Sequence, residues 1–235
     1  MIGNTDTRLI SNAIRSVLTP AVEALLSPIQ GAKLSSLIDD NIIDMNHNFY
    51  QGDARQVLFL HDFAKAFDSV SRSYLTELLK KIGVPEHLLN LILTSFVGNV
   101  AFPILQGRHK TKIPLSSGVK QGDPLSPLLF SLAIDPLLTK LETLPPCSRG
   151  FFDDLGVSFP ETDWHSLVSV LEHIDAYNTA SGSSSNLKKT CLLTSDGKAP
   201  SFTLPGHWAP TPHKQRHPYL VAVRVLEWGF SFTQP

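Results

Sequence analysis

Apolar residues recur at intervals of three and four along much of the chain, and short continuous apolar runs interrupt this pattern. The first spacing is typical of amphipathic helices, and the continuous runs are typical of buried strands. We predict helices over residues 5–27, 36–50, 71–82, 85–96, 123–135 and 162–182. We predict strands over residues 57–62, 101–106, 111–115, 151–152, 155–159 and 187–194. Together these elements predict an α+β fold.

Prolines set several of the predicted helix limits. Pro20 is expected to break the first helix, and Pro136 is expected to kink or split a later one, because proline disturbs the preceding turn. Asp123 followed by Pro124 is a favourable helix start, since a carboxylate caps the first turn and proline suits the first helical position.

Three aspartates lie at predicted strand ends. Asp62 closes the apolar run of residues 57–62, and Asp153 and Asp154 lie between two apolar stretches that form a tight predicted hairpin. An isolated aspartate at a strand end is more often a turn former than a ligand. Three carboxylates on neighbouring strand ends, however, are the hard oxygen ligands that a pair of Mg²⁺ ions requires.

Four segments resemble the successive catalytic motifs of reverse transcriptases from non-LTR retrotransposons. His61–Val70 is similar to the first motif, and Ser117–Phe130 is similar to the second over its whole length. Gly150–Asp154 resembles the third motif, which is usually an aromatic residue, a small or medium-sized residue and then two aspartates. Tyr177–Gly182, with Asn186–Thr190 after it, resembles the fourth. All four occur in the family's order.

The resemblance implies a polymerase palm, in which helices back an antiparallel sheet, together with partial fingers. Three regions follow from it: partial fingers helices over residues 1–50, the reverse transcriptase palm over residues 51–195, and a tail rich in proline and histidine over residues 196–235. The tail is interpreted as a remnant of the region that holds the primer.

The resemblance also assigns roles to the acidic residues and to one lysine. Asp62 and Asp153 would ligate both Mg²⁺ ions, with Mn²⁺ as a substitute, and Asp154 would be an outer ligand or would orient the site. Lys189 matches a lysine near the leaving pyrophosphate and is a candidate general acid. The adjacent Lys188 is an alternative for that position.

Three further residues match the family's nucleotide pocket. Phe67 occupies the position of the steric gate, an aromatic ring that excludes the 2′-hydroxyl of a ribonucleotide, although a core aromatic residue is the alternative. Gln121 would line the pocket, and Gly122 would let the backbone approach the nucleotide. The implied partners are an RNA template, a DNA primer and deoxynucleoside triphosphates.

The composition qualifies this prediction. The 235 residues carry a net charge of −1, whereas contacts to phosphate usually require a basic surface. Basic residues are clustered locally, for example at residues 108–112 and 188–189. No secretory pattern and no apolar run long enough to span a membrane is present, and two widely spaced cysteines are expected to be free thiols. An intracellular location, in the nucleus or cytoplasm, is therefore expected.

Some departures from the family pattern favour a second hypothesis, a catalytically inactive fragment that at most binds nucleic acid weakly. Ser36 stands where the family has a basic residue for the triphosphate, and Phe152 stands where it has a smaller side chain. A third hypothesis is a metal site formed by His207, His213 and His217, but a tail rich in proline has no helix to fix these side chains.

Overall fold

The computed structural model describes residues 5–33, 38–50, 54–97, 100–101, 104–105, 108–109 and 111–214. Within these residues the chain forms seven α-helices and nine strands, which confirms the predicted α+β class. The chain divides into two compact units. The first unit comprises residues 1–25, 65–133 and 177–184, and the second unit comprises residues 26–64, 134–176 and 185–235.

A five-stranded sheet forms the centre of the second unit. The middle strand, β1 (Gln56–Asp62), lies between β7 (Asp154–Pro160) and β8 (Cys191–Thr194). The edge strands are β6 (Cys147–Phe151) beside β7 and β9 (His213–Lys214) beside β8. All neighbouring strands are antiparallel except β8 and β9, which are parallel.

Both faces of β1 are covered, which explains the continuous apolar run of residues 57–60 within it. Successive side chains of a strand point to opposite faces. Leu58 and Leu60 belong to a buried cluster with Met45 of helix α2 (Ile38–Tyr50). Phe59, which is fully buried, meets the ring of Trp208 with 6.0 Å between the ring centroids.

The first unit is mainly helical. It contains α1 (Thr5–Leu25), α3 (Ala66–Ser69), α4 (Arg72–Lys81) and α5 (Glu86–Thr94), together with the first half of α6 (Ser126–Glu142). The positions and order of the longer helices agree with the apolar spacing of the sequence.

A predicted hairpin in the first unit is also present. β2 (Val100–Ala101) pairs with β5 (Ile113–Pro114), and β3 (Ile104–Leu105) pairs with β4 (Arg108–His109), both antiparallel.

The helix predicted over residues 162–182 is confirmed as α7 (Trp164–Ser181).

The predicted break at Pro20 and the predicted split at Pro136 were wrong, whereas a kink at Pro136 stays a prediction. Pro20 lies inside α1, and Pro136 lies inside α6, and both helices continue through them. Pro20 lies at an exposed position of α1, and it cannot donate the backbone hydrogen bond that the Ser16 carbonyl would otherwise accept. The apolar face of α1 is buried on both sides of Pro20, and this packing outweighs one missing backbone hydrogen bond.

Two predicted element starts also differ from the structure. Asp123 accepts a hydrogen bond from the Leu125 N–H at 2.9 Å and so caps a turn, but the helix itself begins at Ser126. The strand predicted over residues 187–194 begins only at Cys191. The residues before it form a turn that is hydrogen-bonded to Asp62 at the end of β1.

Some predicted features lie outside the described residues, namely Ser36, His217 and the C-terminal residues 215–235. Among the residues that the structure does describe, no helix has the length and apolar character needed to cross a membrane.

Candidate active site

Asp62 and Asp154 lie opposite each other in the sheet of the second unit. Asp62 is the last residue of β1, and its partner in the antiparallel register is Asp154, the first residue of β7. Directly opposed residues of an antiparallel pair project from the same face of the sheet. Two of the three predicted metal-binding residues are therefore neighbours on one face.

The turn between β6 and β7 consists of two residues, Phe152 and Asp153. Phe152 has a φ of 51°, which is a strained conformation for a bulky residue other than glycine. Its ring meets that of Phe151 edge to face, with 5.0 Å between the centroids. The turn thus holds Asp153 beside the ends of two strands at some conformational cost.

The charged neighbours of the Asp153 carboxyl group affect its pKa. Burial raises the pKa of Asp153 above its usual range, and the negative charge of Asp62 raises it further. A hydrogen bond from its own backbone N–H and the positive charge of Lys189 act in the opposite direction. Asp62, Asp153 and Lys189 therefore form one electrostatic cluster.

A turn that follows α7 holds Asp62 by its backbone and its side chain. The Asn186 side-chain amide donates to Asp62 Oδ2 at 2.8 Å, and the Asn186 backbone N–H donates to the Asp62 carbonyl at 2.8 Å. The Asp62 N–H donates to Thr190 Oγ1 at 3.2 Å. The turn before β8 thus fixes the carboxylate of Asp62 through Asn186 and its backbone through Asn186 and Thr190.

Lys189 lies in the same turn. Its Nζ atom is 3.7 Å from Asp62 Oδ1, and its side chain is 64% exposed whereas that of Asp62 is only 14% exposed. The lysine thus reaches from solvent toward a largely buried carboxylate. This geometry favours Lys189 over Lys188 as the lysine of the site.

The predicted nucleotide-pocket residues lie in the first unit, where the loop of residues 117–122 lies against α3. The Val119 N–H donates to the Phe67 carbonyl at 2.8 Å. Gly118 has a φ of 75°, and a Cβ atom there would lie 2.6 Å from the backbone of Asp68. Only glycine allows this close approach, which explains one position of the long second motif.

Phe67, Gln121 and Gly122 line one pocket of about 400 Å³. The Phe67 ring stacks on the buried ring of Phe130, with 4.3 Å between centroids and 12° between planes. The Gln121 amide donates to both carboxylate oxygens of Asp68, at 3.2 and 3.1 Å. Gly122 has a φ of 81°, a conformation that favours glycine. Phe67 thus packs on a core residue and also borders the pocket.

Residues 1–220 match the family model described as "Reverse transcriptase (RNA-dependent DNA polymerase)". The match covers most of the 235 residues. The chain belongs to the reverse transcriptase family. This match, together with the relatives described next, confirms the resemblance to reverse transcriptases of non-LTR retrotransposons.

Relatives of this reverse transcriptase chain include Pol polyproteins of retrotransposable elements. Two polyproteins of type-1 element R2 from Popillia japonica are 33% and 35% identical over 49% and 59% of the chain. The polyprotein of type-2 element R2DM from Drosophila melanogaster is 31% identical over 57% of it. The aligned region amounts to 21%, 20% and 13% of these relatives' lengths, so the chain spans at most about a fifth of each.

Solved structures of telomerase share the fold of this reverse transcriptase chain. Telomerase from Candida tropicalis, in complex with the TWJ fragment of telomeric RNA, has a TM-score of 0.60 and 14% identity. The similarity covers 86% of this chain and 37% of the telomerase chain. Telomerase from Candida albicans also has a TM-score of 0.60, over 83% and 35% of the two chains. The predicted polymerase palm-type fold is confirmed.

The residues of this candidate site are suited to a divalent cation, but they do not enclose one. Asp62 and Asp153 are two carboxylates close enough for the charge of one to affect the pKa of the other. Among the described residues, no three His, Cys, Asp or Glu side chains are arranged as a metal-binding group. The fit therefore rests on the carboxylate pair, with oxygen atoms of the type that Mg²⁺ prefers.

Sequence reasoning missed two residues that organise the site. The sequence analysis gave Asn186 no role of its own, but it donates twice to Asp62. Arg72 was not singled out, yet its guanidinium group lies 5.0 Å from the ring centroid of Phe96 and fixes the loop of residues 117–122. It donates to the carbonyl groups of Phe96, Leu115, Ser117 and Gly118. A lone arginine at a helix start has no sequence signal that reveals such a role.

Proposed function

We propose that the chain carries the palm chemistry of an RNA-directed DNA polymerase, which transfers a nucleotide to the 3′-hydroxyl of a primer. The observation that carries this proposal is the cluster of Asp62, Asp153 and Lys189. Two carboxylates whose charges repel each other are favoured when a cation lies between them. We further propose that residues 1–50, 51–195 and 196–235 act as partial fingers, palm and tail.

In this proposal Asp62, Asp153 and Asp154 hold two Mg²⁺ ions, for which Mn²⁺ is a substitute. When bound, such ions would stabilise the attacking and the leaving oxygen of an in-line phosphoryl transfer and would neutralise the charge that develops there. Asn186 holds Asp62 in place through one hydrogen bond to its carboxylate and one to its backbone carbonyl. Lys189, exposed at its tip, donates a proton to the leaving pyrophosphate.

The substrates are an RNA template, a DNA primer and deoxynucleoside triphosphates. Phe67, Gln121 and Gly122 form the nucleotide pocket, with Phe67 as the steric gate. The pocket volume of about 400 Å³ is suited to part of a nucleotide. The stacking of Phe67 on Phe130 would hold the ring still, which a steric gate requires.

Primer extension tests this proposal directly. The purified chain is incubated with a DNA primer on an RNA template, deoxynucleoside triphosphates, and either Mg²⁺ or Mn²⁺. Extension that needs the divalent ion and that Asp153→Asn abolishes supports the proposal. The absence of extension with either ion, by a chain that has a cooperative unfolding transition, contradicts it.

A second candidate function is weak nucleic-acid binding without catalysis. The net charge of −1 favours it, and so does the strained, bulky Phe152 at the turn that carries Asp153. A chain of this kind binds template–primer in a salt-dependent manner but extends no primer. Binding and extension measured on the same preparation separate the two functions.

We expect Phe67→Ala to increase incorporation of ribonucleotides relative to deoxyribonucleotides by about 10- to 200-fold. Removal of the ring removes the steric clash with the 2′-hydroxyl. The measurement is kcat/KM for matched ribo- and deoxyribonucleoside triphosphates. Phe67→Tyr keeps the ring and serves as the control, with unchanged selectivity. Unchanged selectivity in Phe67→Ala as well would assign Phe67 to the core rather than to the gate.

A further inference from the structure

Helix α1 has apolar residues on two of its faces, and only one of these faces is buried. The buried face consists of Ser11, Ile14, Leu18 and Val22. The second set of apolar side chains is exposed, and we call it the apolar stripe. The apolar stripe comprises Leu9, Ile10, Ala13, Val17, Pro20, Ala21 and Ala24. Since a helix that is apolar on most of its surface is normally buried, a partner is expected to cover the stripe.

The apolar stripe is continuous along the helix. Successive residues of an α-helix are about 100° apart around its axis, so the members of the stripe fall within an arc of about 120°. Leu9, Ile10 and Val17 are 63%, 57% and 64% exposed. Within α1, the one charged residue in this arc is Asp6, which precedes the stripe. A contiguous exposed apolar surface of this kind is typical of a contact with another protein.

The positions of the stripe are symmetric about Val17. Ile10 and Ala24 each lie seven residues from Val17, and Ala13 and Ala21 each lie four residues from it. An antiparallel pair of two such helices, with a two-fold axis at Val17, would place Ile10 beside Ala24 of the partner subunit. The small alanine side chain leaves room for the larger isoleucine, so the helices can approach closely and interdigitate. A two-fold dimer requires a surface that is complementary to itself in this way.

We infer that the apolar stripe of α1 binds the same stripe of a second copy of this chain, as an antiparallel two-fold pair of helices. From Ile10 to Ala24 the contact is about 21 Å long. Together with the flanking Leu9 and Leu25, it should bury on the order of 1,000 Å² in total, which is close to the lower limit for a specific interface. A dimer of this size is expected to be in equilibrium with the monomer at micromolar concentrations.

The pairing leaves the pocket of Phe67 open. The residues of α1 that line this pocket are Arg8, Asn12 and Arg15. Each of them is at least about 140° from Val17 around the helix axis, so they lie on the opposite side of α1 from the stripe. The dimer contact and the pocket therefore use different faces of one helix, and each can be changed without the other.

Sedimentation velocity of the full chain, from about 1 to about 100 µM, should show a monomer that is replaced by a dimer as the concentration rises. Val17→Glu places two like charges at the two-fold axis and should raise the dissociation constant of the dimer at least about 100-fold. Because Val17 is 64% exposed in the single chain, this variant should keep the circular dichroism spectrum of the natural sequence. Asn12→Glu adds the same charge at an exposed position outside the stripe and is the control, with an unchanged dissociation constant.

Disulfide cross-linking tests the direction and register of the pair, and it does not depend on the folding of the glutamate variant. Cys147→Ser is the background, because it leaves only the fully buried Cys191. On treatment with oxidised glutathione, Val17→Cys should give a covalent dimer, since a disulfide requires Cβ atoms about 3.5–4.5 Å apart. Ile10→Cys and Ala24→Cys chains should cross-link when mixed but not when separate, because residue 10 lies about 21 Å along the helix axis from its counterpart in the partner.

The outcomes are decisive in both directions. A dimer that Val17→Glu dissociates, together with the mixed Ile10→Cys and Ala24→Cys cross-link, supports the inference. A chain that stays monomeric at every concentration and gives no cross-link at Val17→Cys overturns it, and the stripe then belongs to a different partner. Cross-linking of Ile10→Cys with itself, or an equal effect of Val17→Glu and Asn12→Glu on the dissociation constant, also overturns it.

The inference does not depend on the proposed function, because both measurements are made without nucleic acid or nucleotide. If the chain forms the dimer but extends no primer, the polymerase proposal fails and the dimer stands. If a chain that is monomeric at every concentration extends primers, the polymerase proposal stands and the dimer fails.

Discussion

Asp62→Asn is expected to lower the rate of primer extension by at least about 10³-fold, which corresponds to roughly 4 kcal/mol of transition-state stabilisation. The change removes the negative charge that binds a divalent cation but preserves the shape of the side chain. The amide oxygen of the new residue can still accept the hydrogen bond that Asn186 donates to Asp62. The measurement is single-turnover extension on an RNA template at saturating nucleotide.

Stability is expected to change little in this variant, because Lys189 is 64% exposed and stays hydrated without its partner. Glu77→Gln is a matched control, since it removes one carboxylate charge from an exposed position of α4. It should leave extension unchanged. Extension by Asp62→Asn within a few-fold of the unmodified chain would remove Asp62 from the reaction.

His61 is expected to make the fold sensitive to acid. The side chain is 2% exposed, and its Nε2 atom lies 2.9 Å from Ser185 Oγ. Its ring lies between aromatic neighbours, with centroid distances of 4.4 Å to Phe63 and 5.6 Å to Trp208. Burial without a charged partner lowers the pKa of the imidazole from 6.5 to about 3.

The sign of the effect follows from proton binding. The unfolded chain takes up a proton at His61 below pH 6.5, whereas the folded chain does so only near pH 3, so acid favours unfolding between these values. The free energy of unfolding should therefore fall as the pH drops through this window. The full difference of pKa corresponds to a loss of about 5 kcal/mol, and most of it should be reached by pH 4.

His61→Phe isolates this contribution, since it keeps an aromatic ring among aromatic neighbours and does not titrate. Urea unfolding at pH 7 and at pH 4 gives the free energy of unfolding of each chain. The difference between the two pH values should be smaller in His61→Phe by several kcal/mol. Because the other groups titrate equally in both chains, their contributions to the free energy of unfolding cancel when the two chains are compared. His87→Phe, at an exposed position, is the control, and an identical pH dependence of all three chains would contradict the effect.

The sequence by itself determined the fold class and most of the elements. Helices α1, α2, α4 and α7 follow from apolar spacing, because one face of each helix must be buried whatever it packs against. The carboxylates Asp62, Asp153 and Asp154 were found because each lies at the end of an apolar run. Secondary structure of this kind depends on residues that are only a few positions apart, so the sequence pattern is sufficient to predict it.

The effects of proline in the helices were decided by packing. Pro20 and Pro136 disfavour helix locally, but α1 and α6 continue through them. The buried faces of these helices extend on both sides of each proline, and one lost backbone hydrogen bond costs less than exposing such a face. The helix propensity of a single residue therefore cannot predict whether the helix continues, because it does not include the free energy of burying the helix face.

The roles of the polar residues were decided by tertiary structure. Asn186 holds Asp62 across 124 positions of sequence, and Ser11 binds Asp123 across 112. The pocket that Phe67 lines brings Arg8 and Arg15 of α1 together with Lys120, more than a hundred residues later in the sequence. Hydrogen bonds and charges act between atoms that are close in space, so their partners are fixed only when the fold brings distant segments together.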